Sequence, residues 1–424
     1  MIRPARPRRR RFPWRATGAL AILAGAPTFA QEVPTLPPPS GVRIGPVVVA
    51  PSLLAGYSYD SNIFLRSETE NPPADNVLMI QPAVVVTVPF SNSVFRFGDS
   101  LRWIDYKETA QTSGKYSNDA LAEMDLRFGS LDTLELSAHH IAGIADTIVF
   151  DPGGETVFRG NAFRAHKLRG AFSRDVDGAR GYRISIERNA VKFDRSAEIQ
   201  FFDYTGFDFE AGYLEPLSSN THLGIGYLGT RYDHFDIGPG ADPHAVFRTE
   251  TGDTAFFTLD GRLGPRSPYR VRLGWEWLRF DGNDAEDYSG VVVDTDVAYS
   301  VGGRTTFGFG VQRQPYRSFF LDNNFYVYDE ISARVERGMV ASARFGASVA
   351  YWRNDYHEPV PSGFVGEGIE RSDRAISLEV YATLPLRDLV GIRLSVRENR
   401  KTSNYPGADY NETMVTGGFV FGWF

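Results

Sequence analysis

His139 and His140 are the only adjacent imidazoles in the chain, and with Asp132 and Asp146 they could activate water for hydrolysis at a protein rim. Neighbouring residues of a strand point to opposite faces, so only one of the two can face such a site. A passive histidine pair at a strand end explains them without chemistry. The acidic run Asp281-Gly282-Asn283-Asp284-Ala285-Glu286-Asp287 offers oxygen ligands for a divalent cation, but lacks the ligand register of a calcium-binding loop. It reads as a solvated loop, or one that holds divalents between lipopolysaccharide phosphates. The chain has no Cys, so there is no thiol nucleophile and no Cys-based zinc site. No Gly-rich loop joins a strand to a helix, so no phosphate cradle is expected. The sequence predicts no catalytic residue, no metal and no cofactor.

The remaining charges must then be explained by where they sit. Residues 1–30 hold seven arginines (Arg3, Arg6, Arg8, Arg9, Arg10, Arg11 and Arg15) and no acid, followed by an apolar stretch from Ala16 to Ala26. A basic start, a short apolar core and the small-residue end Pro27-Thr28-Phe29-Ala30 are the parts of a secretory signal, cleaved between Ala30 and Gln31. Setting those seven aside from the 45 basic residues leaves 38 against 52 acidic ones, a net charge of −14. That sign excludes a protein built to neutralise nucleic-acid phosphates. Residues 31–46 are Pro-rich and read as an extended linker, leaving 47–424 as the folded domain. A mean hydropathy of −0.27 leaves no room for a bundle of membrane helices, each needing ~20 apolar residues. The 31 Phe, 20 Tyr and 6 Trp exclude a disordered chain.

From Val47 onward the apolar residues recur at every second position, segment after segment. Val271, Leu273, Trp275 and Trp277 alternate with Arg270, Arg272, Gly274 and Glu276, and Ile392, Leu394 and Val396 with Arg393, Ser395 and Arg397. These segments are long for strands of soluble proteins, which average ~5–6 residues. Aromatic residues gather near their ends (Tyr57, Trp103, Tyr213, Tyr227, Tyr299, Tyr351), as interfacial girdles require. The connections alternate too. Residues 59–75, 107–118, 143–162, 354–370 and 401–409 are long and polar, while 89–93, 129–131, 302–303 and 338–339 are short. The pattern predicts an all-β fold: a single closed antiparallel transmembrane β-barrel of about 18 strands in a Gram-negative outer membrane. Two details stand apart. Asp99 falls on the apolar face of the 94–106 segment, and a bulge at Gly98 would move it inward. The last segment ends on Phe424, and a terminal aromatic resembles a signal for the barrel assembly machinery.

The charged faces would line the lumen. Candidates are Arg183 and Glu187, then Asp208 and Glu210, then Arg270, Arg272 and Glu276. Asp294, Asp296, Arg334, Glu336, Arg393 and Arg397 complete the set. Acids crowd 119–128 and 201–212 and bases crowd 268–279 and 391–397, so facing walls would carry a transverse field. The 143–162 loop joins the fifth and sixth strands, the place at which general porins carry an inward-folded constriction loop, and it would narrow the lumen if it folds inward.

Residues 41–64 contain the corner Gly56-Tyr57-Ser58-Tyr59-Asp60-Ser61-Asn62-Ile63-Phe64 after a short apolar strand. This resembles the opening of the putative β-barrel porin 2 family. The resemblance implies an outer-membrane barrel and, for some members, a conduit for exopolysaccharide export with a periplasmic polysaccharide co-export protein as partner. A diffusion porin for small hydrophilic solutes stays open beside it, and so does a barrel serving as adhesin or anchor. Outer-membrane lipids and lipopolysaccharide are the expected surroundings.

Overall fold

In the computed structural model the described residues are 41–108, 115–144, 162–175, 180–193, 203–234, 249–264, 266–281, 286–318, 323–339, 343–387 and 389–422. The leader 1–30, its cleavage point, most of the 143–162 loop and Phe424 lie outside them.

The described residues open with a short β1 (Val42–Ile44), which folds back on β2 (Val47–Asp60) through a turn at Gly45, φ 61°. The stretch read as linker up to residue 46 is thus already paired from Val42. Then follow β3 (Asp75–Phe90), β4 (Ser93–Tyr106), β5 (Lys115–Phe128), β6 (Asp132–Ile144), β7 (Ala162–Asp175) and β8 (Gly181–Phe193). Next come β9 (Tyr204–Ser218), β10 (Thr221–His234), β11 (Thr249–Gly264), β12 (Ser267–Asp281) and β13 (Tyr288–Val301). The last six are β14 (Thr305–Arg317), β15 (Phe325–Gly338), β16 (Arg344–Pro359), β17 (Glu370–Arg387), β18 (Val390–Ser403) and β19 (Tyr410–Phe421).

Each strand from β2 to β19 pairs antiparallel with the next, and β19 returns to β2 from Met414↔Asp60 to Phe421↔Leu53. Among the described residues, eighteen strands therefore close one ring. Closure is the physical requirement for a sheet in lipid, where an open edge would leave backbone groups unpaired. Gly302 and Gly303, at φ 58° and 70°, make the tight β13–β14 turn, whose left-handed positions a side chain would strain.

The two faces of the ring differ in kind. Ile225, Phe257, Leu273 and Val380 are each more than half exposed, and the same parity is mainly apolar through mid-height on the wall strands. The opposite face carries ion pairs between strands two or three places apart, such as Arg183–Glu135 at 2.7 Å and Arg272–Glu210 at 3.0 Å. Only the concave side of a curved sheet brings such strands together. The charged face is therefore the lumen and the apolar face the lipid surface.

The bulge expected at Gly98 is absent. The β3–β4 and β4–β5 registers run through Gly98 without a shift, so Asp99 stays on the outward face. It is satisfied there by Asn118 Nδ2 from the neighbouring strand, at 2.7 Å. A cross-strand polar pair replaces the bulge.

The family-like corner has a mechanical role. Asn62 is fully buried; its Nδ2 donates to the carbonyls of Arg66 (2.7 Å) and Asn411 (3.0 Å), and its Oδ1 accepts from the Arg66 N–H (2.9 Å). Ser61 and Thr413 exchange two further bonds. These extend the β2–β19 seam beyond its last ladder pair, where the barrel closes on itself.

Candidate functional site

The structure places all thirteen expected lining residues on the lumen face, by the parity of their strands. They are not independent charges. Arg183 bonds Glu135, and Glu187 bonds Lys167 at 2.7 Å. Arg272 bonds Glu210 and stacks 4.0 Å from the Phe256 ring centroid. Arg334 and Asp296 lie 3.5 Å apart, both well exposed in the lumen. Arg397 pairs with Glu379 at 3.4 Å, Arg393 lies over Tyr381, and Tyr381 donates to Glu336. Arg270 sits in register between Asp260 and Asp296. Asp294 stands opposite Arg272 and Gln312, and Glu276 opposite Thr254 and Gly290.

The transverse field is therefore only partial. Bases of β12 neutralise acids of β9 directly, through Arg272 and Glu210. The β9 acids and the β18 bases, however, stand nine places apart in a ring of eighteen, on opposite arcs.

The outer end holds a feature the alternation did not announce. β13 and β14 pair only from Val301↔Thr305 up to Val293↔Arg313. Above that level β13 stays with β12 as far as Tyr288, while β14 stays with β15 as far as Arg317↔Phe325. The sheet splits, and the upper β14–β15 hairpin lies inside the wall.

Its contacts prove the side. Arg317 Nε is 2.8 Å from the carboxylate of Glu250, a lumen residue of β11. The same guanidinium covers the rings of Tyr232 (4.0 Å) and Tyr204 (4.7 Å) on β10 and β9. Phe325 stacks on Phe280 and meets Tyr288 edge-on, and Val327 and Leu278 complete a buried apolar cluster. On the hairpin's other face Tyr326, Tyr328 and Tyr356 are buried together against Tyr316 and Trp352. A strand in the wall would show one of these faces to lipid; here both are covered.

Two polar anchors hold the hairpin at either side. Under Arg317, Tyr232 donates to Asp208 (3.0 Å), and Asn189 donates to both Asp208 (3.1 Å) and Glu187 (3.0 Å), the partner of Lys167. On the far side Tyr356 lies under Arg371, which chelates Asp373 at 3.0 and 2.7 Å, with Lys401 at 2.9 Å on the same carboxylate. Arg371, Asp373 and Lys401 are all nearly inaccessible. Buried charges of this kind persist only when paired and hydrogen-bonded. Connecting segments brace the tip: Asn323 exchanges two bonds with Glu358, and Asn324 donates to the Glu286 carbonyl.

Arg317, Glu250, Tyr204, Tyr232, Arg371, Asp373 and Lys401 were not among the expected lining residues. One signal could have found them. Phe325-Tyr326-Val327-Tyr328 is apolar or aromatic on both parities, where a wall strand needs a polar lumen face.

The histidine pair separates as its strand demands. His139 faces the lumen, 2.6 Å from Asp119, and His140 faces outward. Asp132 sits at the opposite end of the same strand, 3.5 Å from Arg174, and Asp146 lies outside the described residues. Of the acidic run, Asp287 accepts from the Phe280 N–H at 2.9 Å, while 282–285 lie outside the described residues.

A closed ring with an apolar exterior, a charged lumen and an inward hairpin defines an outer-membrane β-barrel of the porin-like kind. Residues 270–421, from β12 through β19, match the family described as Putative beta-barrel porin 2. The stretch includes the split between β13 and β14 and the hairpin beyond it. No curated protein matches the chain in sequence. The outer membrane protein OpdK from Pseudomonas aeruginosa is similar in structure at 11% identity and a TM-score of 0.50, covering 88% of this chain and 98% of that one. A second structure, of Pseudomonas aeruginosa OccK1 (OpdK), aligns at 12% identity and 0.50, covering 88% and 99%. At these identities the likeness concerns the fold.

Proposed function

We propose that the protein is a selective pore for small hydrophilic solutes, narrowed at its outer end by the β14–β15 hairpin. The observation that carries this reading is the placement of Arg317 against Glu250, which seats the upper end of β14 within the lumen. Eighteen strands enclose more space than wall side chains fill, so barrels of this size hold an aqueous channel unless something folded inside restricts it. Below the hairpin the wall presents exposed opposite charges, Arg334 with Asp296 and Arg344 with Glu336, which favour passage of hydrated polar solutes over apolar ones.

A conduit in polysaccharide export, working with a periplasmic co-export protein, is the second reading. It draws on the resemblance of residues 41–64, and the hairpin would then be a gate that keeps small solutes from leaking. Swelling of liposomes that contain the purified barrel distinguishes the two. A diffusion pore admits monosaccharide-sized solutes with the hairpin intact and excludes oligosaccharides. A gated conduit admits neither until the hairpin is shortened. No permeation in either form would remove both readings and favour an anchor.

A further inference from the structure

Along each strand the outward face turns from apolar at mid-height to polar toward the end bearing the long connections. At that rim the outward charges are mostly matched. Arg279 pairs with Asp253 at 3.0 Å, Arg353 with Asp355 at 2.7 Å and Arg231 with Asp233 at 3.2 Å. β6, β7 and β8 depart from this. Beyond the outward Leu136, Leu168 and Ile186, their described outward positions carry His140, His166, Arg188, Arg164 and Lys192, and no acidic side chain.

The arrangement is unfavourable as it stands. Arg164 and Lys192 are direct cross-strand partners, and like charges so placed weaken a sheet. The rings of His140 and His166 stack at 4.6 Å, with their Nδ1 atoms 3.1 Å apart. Arg188 stands one step nearer mid-height, 5.9 Å from the Phe207 ring centroid. An anion held between Arg164 and Lys192 would relieve their repulsion, and guanidinium forks match the oxygens of a phosphate.

We propose that this patch binds the phosphates of a phosphorylated glycolipid in the outer leaflet. The position argues for an amphiphile. Leu136, Leu168, Ile184 and Ile186 are exposed immediately toward mid-height, where acyl chains would lie while the headgroup meets the cations. The patch is on the outer wall, so it is independent of what passes through the lumen.

The test measures binding of bis-phosphorylated lipid A to the full-length barrel in detergent by native mass spectrometry. Arg164→Gln, Arg188→Gln and Lys192→Gln are combined in one variant, and Arg279→Gln with Arg231→Gln serves as control on the matched rim. Loss of three cations at an anionic surface should weaken binding about a hundredfold, with the control unchanged. Dephosphorylated lipid A should bind the unaltered protein as weakly as the phosphorylated form binds the triple variant. Heat-modifiable gel mobility reports whether the variant folds; if it does not, Arg164→Gln alone should still weaken binding severalfold. Equal binding by variant and control overturns the proposal. So does displacement of lipid A by an equal concentration of inorganic phosphate, which would assign the site to the free ion.

Discussion

The Arg317 guanidinium lies 2.8 Å from the Glu250 carboxylate, although their strands stand three places apart in the ring. On β14 Arg317 shares the outward parity of Phe309 and Val311, so its contact with a lumen residue requires β14 to leave β13 and cross into the lumen. Each partner is heavily shielded: Glu250 is 6% exposed and two tyrosine rings cover Arg317. Removing either one strands the other as an uncompensated charge, a change that typically costs ~3–5 kcal/mol for buried pairs. The hairpin position thus depends on this pair as well as on the Phe325 cluster.

Asn62→Ala should destabilise the closed barrel by about 3 kcal/mol, because three bonds are lost, one of them across the seam to Asn411, and their backbone partners are left unsatisfied. Urea titration of the folded barrel in detergent should show an earlier midpoint, and the gel shift on heating should come at a lower temperature. Ser58→Ala, on the same wall away from these bonds, should leave both unchanged.

Leu273→Arg should cut the yield of assembled barrel far more than Arg272→Leu, though the two are neighbours. Leu273 is half exposed to lipid, where an arginine near the midplane costs ~2–4 kcal/mol. Arg272→Leu removes the partner of Glu210 inside the lumen, a smaller loss because water can reach that face. Equal yields would mean the strand faces are assigned the wrong way round.

How far the sequence discloses the molecule depends on how local the cause is. The period of two, the loop alternation and the inward parity of Arg270, Arg272, Arg393 and Arg397 are set within single strands, and residues such as Leu273 declare them directly. The bulge expected at Gly98 failed because the relief of Asp99 comes from Asn118 on another strand, which no single segment reveals. The hairpin escaped for the same reason: β14 and β15 carry wall-like registers to their tips, and only contacts with β9–β12 show that they have left the wall. The two-sided aromatic run Phe325–Tyr328 was its local trace.

Asp99 and Asn118 offer a test of the lipid face. Replacing both by Leu should raise stability by roughly 1 kcal/mol, since a polar pair in hydrocarbon contributes little beyond its own satisfaction. Asn118→Leu alone should lower stability, because Asp99 then faces lipid without its donor. Unfolding midpoints in the same detergent should therefore move in opposite directions for the double and single variants.

Arg270, Arg272, Arg393 and Arg397 together replaced by Gln should shift the reversal potential toward cation preference. The acids they neutralise, Glu210 and Glu379 among them, would remain in the lumen without partners. An unchanged reversal potential would place the selective section elsewhere, at the hairpin.

The most direct measurement is single-channel conductance in a planar bilayer, comparing the intact chain with one in which residues 317–325 are replaced by a short Gly-Ser turn. Those residues bear Arg317 and Phe325, the two contacts that seat the hairpin against the inner wall. The account predicts severalfold higher conductance for the shortened chain, with the heat-modifiable gel shift retained. Equal conductance for the two folded proteins would show that the hairpin does not limit the pore and would contradict the account.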